Sequence, residues 1–170
     1  GSGKTRLAVQ VGADLIDAFP DGVWWVELAG LDDAGLVPHA VAQALGARES
    51  PDEPTADTLV AFLQARRLLL ILDNCEHLVS AAAALADALL GRCPGLAILA
   101  TSRQALGLIG EHALPVPALA VPRASLPAEA GALLDYEGIR LFVERATATN
   151  PAFALTAANT AAVRQICARL

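Results

Sequence analysis

The first residues of the chain, GSGKT, have the types and order of a phosphate-binding loop. The pattern G-x-x-x-x-G-K-[ST] uses glycines so that backbone N–H groups can converge on phosphate oxygens, before a helix whose dipole also favours anions. Lys4 would reach the β- and γ-phosphates as a mobile point charge, and the hydroxyl of Thr5 would ligate Mg²⁺. We therefore predict a nucleotide-phosphate site here. Its predicted binding residues are Gly1, Ser2, Gly3, Lys4, Thr5 and Arg6.

An acidic residue ends the most apolar run of the chain, LLLILD (68–73). Open parallel sheets bind their ligands at the carboxyl ends of their strands. A carboxylate after five aliphatic residues is hard to explain by packing, because an unpaired buried charge is costly. We therefore expect Asp73 to be a catalytic carboxylate that holds Mg²⁺ together with Thr5. The alternative is that Asp73 only caps the next helix.

A basic residue follows the next apolar run, AILATSR (97–103). An arginine at that strand end can point at the same crevice and sense a γ-phosphate, which gives Arg103 a predicted catalytic role. The alternative is a surface arginine in a polar turn.

The segments around these residues alternate between helical and extended patterns. A helical stripe follows GSGKT, and further helices are predicted near 37–45, from Thr55 onward and at 78–91. Strands are predicted at VWWVELA (23–29), LLLILD and AILATSR, with a short Pro-edged one at LPVPAL (114–119). Such alternation is typical of βαβ units, so we predict an α/β fold with a parallel sheet covered on both faces.

The character of the sequence changes after about residue 120, where a Pro/Ala-rich connection leads to two helical stripes. We therefore predict a nucleotide-binding core at 1–120 and the start of a helical subdomain at 121–170. The chain contains no Met, and its last stripe continues to Leu170 without a stop signal. We expect that both ends are cut, with the first strand of the sheet missing.

The composition excludes several classes of function. A net charge of −6 and the lack of a basic stripe argue against direct contact with nucleic acid by this segment, and no apolar run is long enough for a membrane span. The three cysteines are widely spaced, which fits neither a disulfide framework nor a zinc site, so we expect a reducing cytoplasm.

Several stretches together resemble the bacterial STAND-class P-loop ATPases, which are related to NB-ARC and AP-ATPase domains. The resemblance is strongest to domains of actinobacterial LuxR- and SARP-type regulators. The matching stretches are GSGKTRLA, FPDGVWWVELAGL, RRLLLILDNCEHL, CPGLAILATSRQALGLIGE, LPVPALAVP and IRLFVERA. The resemblance implies a P-loop NTPase fold, ATP or ADP with Mg²⁺ as ligands, other domains of the same chain as partners, and ATP-dependent self-association.

One residue departs from the pattern of that family. NB-ARC relatives carry a second acid beside the Asp of this strand, whereas this chain has Asn74, which cannot accept a proton from water at neutral pH. Hydrolysis would then be slow, or Glu76 would take the catalytic role of the base. The plainer alternative is that Glu76 only interacts with the dipole of the helix that it precedes.

The function expected from these observations is an ATP-binding, slowly hydrolysing switch module of a larger cytoplasmic regulator. A small-molecule kinase shares the loop, but such enzymes usually carry an Arg-rich lid, whereas TSRQALGLIGEHALPVP has one arginine. A nucleotide-locked scaffold without hydrolysis is the third reading, which Asn74 motivates.

Overall fold

Three parallel strands form the sheet that positions the polar residues of interest. The computed structural model describes residues 2–122 and 130–169. The strands are β1 (Val23–Glu27), β2 (Leu68–Asp73) and β3 (Leu96–Ala100), in the order β1-β2-β3. Every residue of the central strand β2 is buried. This arrangement confirms the predicted α/β class with a parallel sheet.

Helices lie on both faces of this sheet. They are α1 (Lys4–Asp14), α2 (Val37–Leu45), α3 (Thr55–Leu63) and α4 (Val79–Leu90). One face of the strands, which includes Leu70 and Leu72, forms a large apolar core with α2, α3 and α4. The other face packs closely against α1, where a Cβ on Gly12 would lie 2.8 Å from Cδ1 of Ile71 and that side chain would have to shift. Successive side chains of β2 therefore pack alternately into two separate apolar cores.

The register of the sheet aligns the carboxyl ends of its strands. Glu27 of β1 lies opposite Asp73 of β2, and Leu72 of β2 lies opposite Ala100 of β3. Residue 101 therefore follows β3 at the level where Asp73 ends β2. Parallel strands of matched length bring the residues at their ends to one edge, where ligands bind in such sheets.

The contacts divide the described residues into two compact units. One spans Gly3–Pro115 and contains the sheet; the other comprises Ser2 and the described residues from Val116 onward. The second unit contains α5 (Ala130–Leu133), α6 (Glu137–Thr149) and α7 (Thr160–Cys167). Its small core consists of Leu133, Ile139, Val163 and Cys167.

The predicted strand at LPVPAL (114–119) is wrong, and part of the predicted Pro/Ala-rich connection lies outside the residues that the structure describes. LPVPAL is not a strand, since residues 111–122 have no regular secondary structure. Proline supplies no N–H for a ladder, and two prolines in six residues leave too few donors for pairing. The Pro/Ala-rich connection after residue 120 falls partly on residues 123–129, outside the described ranges. Within those ranges, no helix is both long enough and apolar enough to cross a bilayer.

Candidate functional site

The N-terminus of α1 meets the end of β2 through two side chains. The hydroxyl of Thr5 donates to the carboxylate of Asp73, with Oγ1 2.9 Å from Oδ1 and 3.1 Å from Oδ2. Asp73 is only 4% exposed. The two residues are 68 positions apart in the sequence, so the fold alone brings them together. This is the pair for which the sequence predicts a shared metal, and Asp73 does not serve as a cap because it is still part of β2.

Gly3 sets the direction in which the chain enters α1. Its φ of 76° is left-handed, a conformation that costs glycine little, and it directly precedes the first helical residue, Lys4. A Cβ on Gly3 would meet no atom within 4 Å, so the backbone here borders open space. A backbone of this kind leaves the first N–H groups of the helix available to an anion.

Thr101 is part of this site, although no motif of the sequence predicts a role for it. Its hydroxyl donates to Oδ1 of Asp73 at 2.5 Å and accepts the backbone N–H of Asn74 at 3.0 Å. Thr101 is buried, with 6% exposure. The sequence contained a signal for this position, because LLLILD and LAILAT both place a polar residue directly after five apolar ones. Parallel strands of equal length then bring the two polar residues together.

Asn74 turns the chain out of β2. Its φ of 64° and ψ of 48° are left-handed, and it is the one non-glycine with positive φ among the described residues. Asparagine tolerates this conformation better than most residues. The next residue then donates its backbone N–H to the carbonyl of Thr101, from Cys75 N at 2.9 Å. Asn74, which stands where NB-ARC relatives carry a second acid, therefore occupies a position with a left-handed backbone.

Glu76 and Arg103 form an ion pair beside this edge. Nε of Arg103 lies 3.0 Å from Oε1 of Glu76. Glu76 belongs to a short 3₁₀ turn, Cys75–His77, that follows β2, and its side chain is 24% exposed, whereas that of Arg103 is 81% exposed. The structure therefore brings Glu76 and Arg103, two of the three predicted catalytic residues, together. Arg103 lies two positions beyond Thr101, and Glu76 lies three positions beyond Asp73. This ion pair joins the turn after β2 to the loop after β3.

The thiol of Cys75 is kept neutral by its surroundings. Burial, followed by the negative charges of Asp73 and Glu76, raises its pKa to about 12. A thiol with such a pKa is neither a nucleophile nor a metal ligand at neutral pH. Cys75 therefore contributes to the apolar floor beneath the site, where its Sγ lies 3.4 Å from the carbonyl oxygen of Leu72.

The other predicted binding residues occupy the start of the chain. Ser2 and Lys4 are half-buried, and Arg6 is exposed on the first turn of α1. Gly1 lies outside the described residues.

The donor set fits Mg²⁺ with a phosphate ligand. The hydroxyl of Thr5 and the carboxylate of Asp73 are hard oxygen donors, which Mg²⁺ prefers, and Mg²⁺ commonly takes one or two protein groups and completes its shell with phosphates and water. Across residues 2–122 and 130–169, no group of three or more His, Cys, Asp or Glu could hold a metal. A cation here would thus rely on oxygens from a nucleotide.

Three features place the chain in the class of P-loop nucleotide-binding domains. They are the parallel sheet with helices on both faces, the glycine that precedes α1, and the contact between a hydroxyl and a carboxylate at the strand ends. Residues 1–105 match the NB-ARC domain family, and the chain belongs to that family.

Regulators from actinobacteria are among the proteins similar to this chain. A protein of Mycobacterium tuberculosis (strain ATCC 25618 / H37Rv), named as an HTH-type transcriptional regulator, is 41% identical over 170 residues, which is 100% of this chain and 18% of that protein. An uncharacterized protein of Mycobacterium bovis is also 41% identical over 170 residues, 40% of its length. Regulatory protein AfsR of Streptomyces griseus is 37% identical over 121 residues, covering 66% of this chain and 12% of that protein. The chain thus spans less than half of each of these relatives.

Proposed function

We propose that this chain is an ATP–Mg²⁺ binding module that hydrolyses ATP slowly to ADP and phosphate and acts as a switch in a cytoplasmic transcriptional regulator. The observation that carries the proposal is the contact between Thr5 and Asp73 at the N-terminus of α1. Membership of the NB-ARC family supports the nucleotide, and the names of the relatives support the regulatory setting.

Each residue of the proposed site has a distinct task. The ammonium of Lys4 would neutralise the β- and γ-phosphates. Because Oγ1 of Thr5 donates its proton to Asp73, its lone pairs stay directed to a cation, and the charge of Asp73 strengthens that hydrogen bond. Bound Mg²⁺ would neutralise charge on the phosphates. Thr101 holds the carboxylate of Asp73 in place from the other side.

The proposed switch depends on the difference between ATP and ADP. Arg103 would contact the γ-phosphate, so that only ATP engages its guanidinium. A ligand shifts a conformational equilibrium only by its differential affinity for the two states. We propose that the helical region at 121–170 is placed differently in the two nucleotide states, and that other domains of the same chain and self-association respond to that placement.

The test of nucleotide binding uses the variant Lys4→Ala in the full-length protein. We expect the affinity for a fluorescent ATP analogue to fall at least about 100-fold, as for the loss of a charged group from a site of this kind. Arg48→Ala is the matched control, because Arg48 is also a cation but is exposed in the loop that follows α2, outside the predicted site. Normal affinity in Lys4→Ala would contradict the proposal.

A nucleotide-locked scaffold is the second candidate, and Asn74 favours it because an amide cannot accept a proton from water. Retention of nucleotide through purification, with no phosphate released on long incubation, would favour the scaffold. Release of phosphate into water would favour the slow ATPase, and transfer to an acceptor would indicate a kinase.

A further inference from the structure

Glu27 lies at the edge of the sheet beside the proposed site, although no sequence pattern singled it out. It is the last residue of β1 and lies directly opposite Asp73 in the parallel register. Neighbouring strands are about 4.8 Å apart, so the two backbones adjoin. The carbonyl of Asp73 also accepts the backbone N–H of Leu28 at 3.0 Å, which fixes this register up to the ends of both strands.

The side chain of Glu27 projects from the face of the sheet that carries α1. Residues opposite each other in a parallel pair share a face, and residues two apart along a strand do so as well. Ile71 precedes Asp73 by two positions and packs against Gly12 of α1. Asp73 contacts Thr5 at the start of the same helix. Glu27 is therefore on the same side as the proposed phosphate loop.

The other groups near Asp73 are already engaged. The carboxylate of Asp73 accepts two hydroxyl protons, from Thr5 and Thr101. Glu76 is paired with Arg103. Glu27, by contrast, is exposed, and within the described parts of the chain its carboxylate has no hydrogen bond or ion pair. It is the carboxylate at this edge that can accept a proton without first losing a partner.

We propose that Glu27 is the carboxylate that activates the attacking water, the task that Asn74 cannot perform; the inference rests on the proposed ATPase function. The water oxygen forms a bond to the γ-phosphorus as the bond from that phosphorus to the β–γ bridging oxygen breaks. The electron pair of the broken bond leaves with ADP. Glu27 takes one proton from the water and returns it to solvent, and the products are ADP and inorganic phosphate.

The test compares Glu27→Gln with Asp32→Asn in the full-length protein, since both changes remove one exposed carboxylate charge, and Asp32 lies in the loop that follows β1. Three quantities are measured: single-turnover release of labelled phosphate from γ-labelled ATP, equilibrium affinity for a fluorescent ATP analogue, and the ATP content of the protein after incubation. We expect Glu27→Gln to release phosphate at least about 100-fold more slowly, as for the loss of a general base. Its affinity stays within about threefold, and the protein retains intact ATP. Asp32→Asn keeps a rate within about threefold of wild type.

Each other outcome has a defined meaning. Wild-type hydrolysis in Glu27→Gln, equal losses in both variants, or a wild-type protein that binds ATP without turnover would each overturn the role of Glu27. The first two of these leave the proposed ATPase function intact, whereas a wild-type protein that binds ATP without turnover, or that binds no nucleotide, contradicts the proposed function itself. Glu27→Asp is the second variant, which keeps the charge but withdraws it by one methylene; a rate between those of wild type and Glu27→Gln supports the role.

Discussion

Two carboxylates three residues apart, Asp73 and Glu76, have opposite environments. Asp73 is 4% exposed, and its carboxylate accepts hydrogen bonds from the hydroxyls of Thr5 in α1 and of Thr101 directly after β3. Glu76 lies on a loop and pairs with the 81% exposed side chain of Arg103. The first arrangement is fixed by three elements of the core, and the second joins two loops that water and salt can reach.

The difference between the two carboxylates indicates which part of the site is held rigidly by the core and which part can change its contacts when a ligand binds. A buried carboxylate is stable only while its partners stay in place, because an unpaired charge in the core is costly. An exposed ion pair contributes little and exchanges partners easily. We infer that Asp73 is preorganised for a cation, whereas Arg103 can exchange Glu76 for a phosphate. Substitutions of Asp73, of its partner Thr101 and of Arg103 measure that contrast.

The largest effect is expected from Asp73→Asn, which keeps the shape but removes the charge. We expect the Mg²⁺-dependent affinity for ATP to fall at least about 100-fold, because even indirect partners of a metal are worth 10–100-fold. Titration of the full-length protein with a fluorescent ATP analogue, in Mg²⁺ and in EDTA, measures this change. Asp32→Asn, at an exposed carboxylate in the loop after β1, is the control for the loss of one charge. Equal affinities of wild type and Asp73→Asn in Mg²⁺ would show that Asp73 holds no metal.

A smaller effect is expected from Thr101→Val, which removes a hydroxyl at nearly constant volume. The change leaves Asp73 with one donor fewer and the N–H of Asn74 without its acceptor. We expect the free energy of unfolding to fall by about 1–3 kcal/mol, the usual cost of unsatisfied buried groups. Denaturant unfolding monitored by circular dichroism checks it. Thr101→Ser keeps the hydroxyl and should recover most of the loss; a serine variant as unstable as the valine variant would point to packing instead.

The smallest effect on stability is expected from Arg103→Gln. Its exposed pair with Glu76 should contribute less than about 1 kcal/mol to the free energy of unfolding, and high salt should remove even that. Unfolding curves of wild type and variant in low and high salt provide the measurement. A destabilisation as large as that of Thr101→Val, persisting at high salt, would mean that the two loops belong to the rigid scaffold after all.

The sequence predicted those features that depend on local pattern. Five consecutive aliphatic residues before Asp73 predicted both a buried strand and a polar residue at its end, and GSGKT before a helical stripe predicted the start of α1. The parallel alternation of helices and strands followed from the same periodicities. The contact between Thr5 and Asp73 could be expected only because ligands of such sheets gather at one edge.

Other features depend on register and on backbone geometry, which a single sequence does not specify. Thr101 and Glu27 reach the level of Asp73 because β1, β2 and β3 pair without offset. A shift of one residue would have turned both side chains to the opposite face. The pair between Glu76 and Arg103 depends on the left-handed turn at Asn74. The prediction of a strand at LPVPAL was wrong. Its alternating apolar residues favour a strand, but its two prolines have no backbone N–H to donate to a neighbouring strand.

The most direct test of the shared site is to locate its metal. Crystals of the full-length protein with a non-hydrolysable ATP analogue and Mn²⁺ in place of Mg²⁺ would give an anomalous diffraction peak at the cation. We expect the peak about 2.1 Å from Oγ1 of Thr5, in contact with the carboxylate of Asp73 directly or through one water. A nucleotide-bound Mn²⁺ that touches neither residue would contradict the central claim.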